Sequence, residues 1–172
     1  MCGRYEFNLG TETKSQEYLK QIKKQKLEGY KVGEIFPSDN CLAIIPNSKG
    51  IELKILKWGI NHNGFIINAR NETITEKKTF KNLKRCAIIA SGFYEWKEHI
   101  KYYIHTKDEF IYLASLYDED NNMVIITKQS NPPFNIIHNR IPIIMNQKEM
   151  LAYLRLTDNR ILNKELIVKE VK

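Results

Sequence analysis

The strongest constraint on this chain is a succession of short runs rich in β-branched and aromatic residues through its middle. They are Leu42–Ile45, Ile51–Trp58, Phe65–Ile67, Cys86–Ala90, Tyr102–His105, Phe110–Leu116 and Met123–Thr127. Runs of this length and composition read as strands. Helical patterns lie nearer the ends. Thr11 is placed to cap a helix through about Leu27, with Tyr18, Leu19, Ile22 and Leu27 as a loose apolar face. A second helix is expected from near Asn146, carrying Met150, Leu151 and Leu154, and Thr73–Lys78 suits one short helical turn. The closing stretch ILNKELIVKEVK fits either a strand or a loosely held tail. Many short strands with segregated helices imply an α+β fold: a single domain with a curved, partly barrel-like mixed or antiparallel sheet flanked by a few helices.

No repeat, low-complexity tract or linker divides the 172 residues, so one domain over 1–172 is expected. A hydrophobic fraction of 42% supplies a core. Lys and Arg number 27 against 20 Asp and Glu, a net charge of +7 spread along the chain. That excess permits a polyanionic partner such as nucleic acid, although many small basic proteins bind none. No stretch resembles a signal peptide or a membrane span, and a cytoplasmic location is expected, with nucleoid association when bound to DNA. Cys2, Cys41 and Cys86 are odd in number and form no CxxC pair, which points to free thiols. His62, His99, His105 and His138 show no ligand spacing with them, so neither a metal nor another cofactor is expected. Cys41 and Cys86 lie in apolar runs and read as core residues.

Cys2 differs, because it directly follows the initiator methionine. Removal of Met1 would expose a 1,2-aminothiol. Its α-amine has an ordinary pKa of about 7.7–8.0, so part of it is neutral at neutral pH. Such an amine condenses with an aldehyde, and the thiol can then close on the same carbon as a five-membered thiazolidine. A retained Met1 would block this chemistry.

Further segments carry polar groups at strand ends. Asn68-Ala69-Arg70-Asn71-Glu72-Thr73 follows an apolar strand, and Gly92-Phe93-Tyr94-Glu95-Trp96 sets a carboxylate between two aromatics. Flanking by apolar rings raises a carboxyl pKa and suits it to acid–base work. Asn135–Pro142 brings His138 and Arg140 just before a proline. Each has an ordinary alternative: a surface turn for Glu95, a core histidine for His138, an ion pair for Arg70.

Taken in order, MCGRY, LKWGI, INARNET, RCAIIASGFYEWKE, ASLYD, VIITKQSN and IIHNRIP resemble the SOS response-associated peptidase (SRAP) family of abasic-site processing proteins. The resemblance runs from Cys2 to about Met145. It implies that Cys2 forms the thiazolidine with the ring-opened sugar aldehyde of an abasic site, with Asn68 beside it. It implies that Glu95 shuttles protons during Schiff-base formation and closure, and that His138 assists sugar-ring opening. Arg4, Arg70 and Arg140 are implied phosphate contacts, a role suited to guanidinium groups. Trp58 and Trp96 match the family's tryptophans and are candidates for stacking on a base, with Trp58 equally readable as core. The implied partner is single-stranded DNA carrying abasic sites, met by a monomer. Strand-cleaving lyase activity and autocatalytic loss of Met1 belong to the same implication. This chain departs from the family in a short segment between Trp58 and Asn68, in trimmed strands after Glu95, and in TKQSN and HNRIP.

Two other classes share features with the chain. Class II glutamine amidotransferases also begin Met-Cys-Gly, and Asn61-His62-Asn63-Gly64 is similar to one of their segments, but their Arg-Gly-Pro-Asp stretch is missing. A non-catalytic nucleic-acid-binding module would leave Cys2 incidental.

Overall fold

The computed structural model describes residues 2–155 and 166–171. In chain order the strands are β1 (Tyr5–Phe7), β2 (Gly33–Ile35), β3 (Asn40–Asn47), β4 (Gly50–Trp58), β5 (Ile60–Asn61), β6 (Phe65–Ile66), β7 (Asn68–Arg70), β8 (Lys84–Ala90), β9 (Gly92–Lys97), β10 (Ile100–His105), β11 (Ile111–Tyr117), β12 (Asn122–Gln129), β13 (Arg140–Pro142), β14 (Ile144–Met145) and β15 (Ile167–Val171). Helix α1 (Thr13–Gln25) separates β1 from β2, and α2 (Gln147–Leu154) follows β14. The expected strands are all present, and the end of the closing stretch is β15.

β4, β3, β8 and β11 pair in that order, antiparallel throughout. β12 then pairs with β11 on one side and, in parallel, with β4 on the other. The path is therefore a closed ring, and the mixed, barrel-like sheet expected from the sequence is observed. The closing contact is short: β12 meets β4 only at Lys57 and Trp58, and the rest of that β4 edge has no strand partner among the described residues. A second sheet, ordered β15-β10-β9-β1-β2, is antiparallel. β3 is buried from Cys41 to Ile45 and β8 from Cys86 to Ala90, so both faces of these central stretches are covered, and they read as continuous apolar runs. Tyr5, Phe7, Ile35 and Phe93 of the second sheet join Leu42, Ile44, Leu56, Trp58 and Ile88 of the ring in one core cluster.

Beyond Trp58 the backbone leaves β12 and makes an excursion, the β5–β6 hairpin, before β7 takes up the parallel pairing with β12 again. Asn63 and Gly64 at its tip have φ of 50° and 126°, so this segment is a tight exposed turn and its Asn-Gly is turn chemistry. Gly59 is required at the base: its φ is 119°, and a Cβ there would lie 2.2 Å from the Phe65 ring. The Trp58 indole N–H closes the excursion by donating to the Ile67 carbonyl at 3.0 Å. That bond fixes the entry of the next residue, Asn68.

Two local expectations are corrected. Helix α1 starts at Thr13, later than expected, and Thr11 does not cap it; the N-cap position, Glu12, makes no side-chain cap bond. The orphan amides are instead taken by a residue distant in sequence. Glu109 accepts from Lys14 N at 3.1 Å and from Ser15 N at 2.8 Å. The buried face is Ser15, Tyr18 and Ile22, whereas Leu19 is exposed. Short 3-10 turns at Asn71–Thr73 and Lys78–Phe80 flank the segment expected to form one helical turn. By contrast, α2 begins as expected, with Asn146 and Glu149 forming a capping box.

Because Glu109 satisfies donors that a helix start otherwise leaves open, Glu109→Ala is expected to lower unfolding stability by about 1–2 kcal/mol. Urea titration followed by circular dichroism measures this. An unchanged midpoint would mean that α1 needs no cap from β11's side.

Candidate active site

The site forms where the chain's beginning lies along β9. Tyr5 pairs with Phe93 and Glu6 with Gly92, and Tyr94 N donates to the Arg4 carbonyl at 2.9 Å. Continuing this antiparallel register carries Cys2 toward Glu95 and Trp96. Cys2 is fully buried. Burial, and secondarily the charge of nearby Glu95, push its thiol pKa up, so the sulfur is held protonated. Asn68 Nδ2 donates to the Cys2 carbonyl at 3.0 Å and to the Ile67 carbonyl at 2.9 Å. Its Oδ1 is buried and accepts no hydrogen bond among the described residues, which leaves an acceptor open beside Cys2.

Glu95 is 3% exposed, and burial raises its pKa to about 7. The direction matches the sequence reading, but the cause is different. Strand alternation sends Tyr94 and Trp96 to one side of β9 and Phe93 and Glu95 to the other. The flanking rings lie on the opposite face of the strand from the carboxyl, with centroids 6.5 Å apart. Burial beneath the sheet is what makes ionisation costly.

His138 comes from the loop between β12 and β13. Its Nδ1 lies 3.0 Å from both the N and the O of Arg140. With its proton on Nε2 the neutral ring accepts the Arg140 N–H at Nδ1; with its proton on Nδ1 it donates to the Arg140 carbonyl instead. Burial lowers the pKa of His138, helped by the positive charge at the chain's amino terminus and by Arg140. The same terminal charge acts on Glu95, so both groups lie within electrostatic reach of the start of the chain.

The three arginines differ in how far they are engaged. Arg70 is exposed at the end of β7 and forms no salt bridge among the described residues. Arg4 contacts Glu34 at 3.4 Å, and its guanidinium stands 3.9 Å from the centroid of Phe36 and 5.1 Å from that of Trp96. Lys101 also pairs with Glu34 and lies over Tyr94. Arg140 makes a two-pronged pair with Glu72, at 2.8 and 2.9 Å, and donates to the Thr127 carbonyl at 2.8 Å.

The tryptophans also separate. Trp96 is 37% exposed at the edge of the Arg4 cluster and presents a ring to solvent. Trp58 is fully buried, 5.4 Å from Tyr5 by ring centroid, with its N–H committed to Ile67. It offers no face to a base and belongs to the core, one of the two readings its sequence context allowed. Two contributors escaped the sequence reading. Phe36 joins the site only because β1–β2 pairing sets it opposite Arg4, and nothing local marks it. Glu72 sits inside the Asn68–Thr73 motif, but its bond to Arg140 spans strands far apart in sequence.

Among the described residues no group of His, Cys, Asp and Glu could hold a metal ion, and no helix is long and apolar enough to cross a membrane.

The sequence model of the SOS response associated peptidase (SRAP) family matches residues 1–171. Abasic site processing protein YoqW of Bacillus subtilis is 34% identical over 145 residues, which cover 68% of this chain and 65% of that protein. The match thus spans just under two thirds of that relative's length. Abasic site processing protein HMCES of Xenopus tropicalis is 30% identical over 117 residues, 48% of this chain and 35% of that one. The crystal structure of a phage-related protein from Bordetella bronchiseptica superposes with a TM-score of 0.74 at 22% identity, over 99% of this chain and 94% of that one.

A buried carboxyl with a raised pKa destabilises the fold where it is forced to ionise. Glu95 has a folded pKa near 7, above the ordinary carboxylate value of 4.5, so the native state holds a proton that the unfolded chain releases. Stability should therefore fall as pH rises from about 4.5 to 7, by on the order of 2–3 kcal/mol. Glu95→Gln should flatten that decline in chemical denaturation series. A decline of equal size in the variant would assign it to another group.

Proposed function

This chain belongs to the SOS response associated peptidase (SRAP) family, and from that premise we propose that it captures abasic sites in single-stranded DNA as a covalent thiazolidine at Cys2. The observation that carries the reading is the placing of Cys2 against Asn68 and against a buried Glu95 whose pKa is near neutral. An acid–base group that titrates near pH 7 is what a reaction with alternating proton gain and loss requires. The related proteins are named abasic site processing proteins, which supports the abasic site as the substrate.

The reaction begins once Met1 is removed, which frees the Cys2 amine. An abasic sugar is mostly a closed hemiacetal, and opening it carries the anomeric hydroxyl proton to the ring oxygen; neutral His138 assists by donating a hydrogen bond from Nε2–H to that oxygen as the proton moves, and the aldehyde is released. The amine adds to the aldehyde carbon and forms a carbinolamine. Glu95 in its acid form donates a proton to the hydroxyl, which leaves as water, and a C=N bond results. The thiol then adds across that bond: sulfur bonds to carbon, and its proton passes through Glu95 to nitrogen. The sum is aldehyde plus aminothiol giving thiazolidine plus water. Burial of the thiol keeps it from ionising early, so the amine reacts first. Asn68 holds the Cys2 carbonyl throughout, and its open Oδ1 is placed to take an N–H of the freed amine. An imine that persists acidifies the neighbouring carbon, which provides a lyase route to strand cleavage.

DNA binding follows from the state of the cations. Arg70 is the phosphate contact of first resort, because it has no salt-bridge partner to leave among the described residues. Arg4 must give up Glu34 to bind phosphate, and Trp96 with Phe36 supplies exposed ring surface for a base beside the abasic gap.

Met-processed protein mixed with single-stranded DNA bearing one abasic site should give an adduct that survives heat and SDS, seen on a denaturing gel and by intact mass. Cys2→Ala retains an amine but no thiol, so it should yield only an imine, detected after borohydride reduction. Glu95→Gln should slow crosslinking by about 100-fold, the usual scale of general acid–base catalysis, while sparing non-covalent binding. A wild-type adduct rate in Glu95→Gln would remove Glu95 from the mechanism, and no adduct from fully processed wild type would reject the reading.

A further inference from the structure

Arg140 stands at the crossing of two sets of contacts. Its main-chain N and O both lie 3.0 Å from His138 Nδ1, so the residue's backbone is what orients the imidazole. Its guanidinium is gripped from the other side. Glu72 accepts from Nη1 at 2.8 Å and from Nη2 at 2.9 Å, and Thr127 accepts from Nη2 at its carbonyl and hydroxyl oxygens, at 2.8 and 3.1 Å. Glu72 Oε1 also accepts from Gln129 N at 3.0 Å. One carboxylate therefore ties the last residue of β12 to the first residue of β13, the two ends of the loop that bears His138. That loop is closed within by Ser130, whose amide donates to the Asn139 carbonyl at 3.0 Å and whose hydroxyl donates to the His138 carbonyl.

A bidentate pair fixes both the distance and the plane of a guanidinium, which a single contact does not. Strand pairing with Gln129 holds the Arg140 main chain, and the fork adds a second restraint from the side-chain end. A small shift would separate its N–H from Nδ1 and free the ring to rotate or change tautomer. Exposure of the Glu72 side chain, 46%, makes the pair a modest contributor to overall stability, so its geometry is its main consequence.

We propose that Glu72 is a positioning residue: by clamping Arg140 it holds the main-chain groups that orient the His138 ring with its Nε2 proton toward the substrate. The kinetic side of this inference rests on the reading that His138 assists sugar-ring opening through its Nε2–H; the structural side does not.

The test is a double-mutant cycle with a spectroscopic arm. Single-turnover crosslinking to abasic single-stranded DNA is measured for wild type, Glu72→Gln, His138→Ala and the double variant, all Met-processed. Glu72→Gln alone should be slower by about tenfold, as expected when a reacting group is misplaced slightly. In the His138→Ala background the same change should alter the rate by less than about twofold, because the two act as a unit. Arg140→Lys, which keeps the charge and the backbone but loses the fork, should repeat this pattern and guards against a folding defect particular to Glu72→Gln. In parallel, imidazole nitrogen NMR should show His138 as the Nε2–H tautomer in wild type and as a mixture of tautomers in Glu72→Gln. Equal slowing in both backgrounds, or an unchanged His138 spectrum in Glu72→Gln, would overturn the proposal. If wild type itself forms no adduct, the crosslinking reading fails, and the NMR arm still decides the role of Glu72.

Discussion

Backbone pairing by β12 holds the site together. This strand joins β11 and β4 and so closes the ring, then carries β7 in parallel and β13 antiparallel along its second half. β7 brings Asn68 and Arg70; β13 brings Arg140, and the loop before it brings His138. None of these residues is near another in sequence, except where a motif spans one strand end. Their common frame is one strand whose hydrogen bonds leave little freedom of register, since a slip by one residue would reverse the faces of Thr127 and Lys128. Cys2 and Glu95 arrive from the other sheet, through β1 and β9. The Asn68 bond to the Cys2 carbonyl is therefore a bond between the two sheets.

The chemistry of the site follows from low polarity more than from charge. Burial acts on Cys2, Glu95 and His138 in the direction that favours each neutral form. A neutral thiol, a carboxyl that exchanges protons near pH 7 and a neutral imidazole make a set able to pass protons without building up a strong local field. The fixed charges are kept outside this set and are mostly compensated: Arg4 by Glu34, Arg140 by Glu72. Arg70 alone among the three implied phosphate contacts stands at the surface without a salt-bridge partner among the described residues. A uniform count of basic residues would not have distinguished them.

Sequence patterns reached the strands because their signal is local. β-branched runs such as Leu42–Ile45 and Cys86–Ala90 are apolar throughout, and they became strands covered on both faces. The start of α2 was legible for the same reason, since Asn146 and Glu149 satisfy each other within one turn. The start of α1 was not, because its cap is Glu109, brought from β11's side by the tertiary fold. The short strands β1, β2 and β9 carry no comparable signal; three to six residues with mixed polarity show little periodicity. At the site, the motifs marked Cys2, Asn68, Glu95 and His138 as chemical groups, yet pointed to the wrong cause for the shifted Glu95 and left Trp58 between two roles. Strand alternation and complete burial resolve both.

What the amino-acid sequence determined by itself was the inventory: an α+β chain of short strands, a cysteine placed directly after Met1, and a carboxyl and an imidazole in motifs of a recognisable order. These are properties of covalent neighbours, and they survive without knowledge of the fold. Tertiary structure alone decided which groups meet and what state they are in. Glu95 titrates near neutral pH because a sheet covers it. Phe36 faces Arg4 because β1 pairs with β2. Glu72 reaches Arg140 because β7 and β13 both lie on β12. Desolvation and ion pairing depend on distances through space, and a linear sequence does not contain those distances.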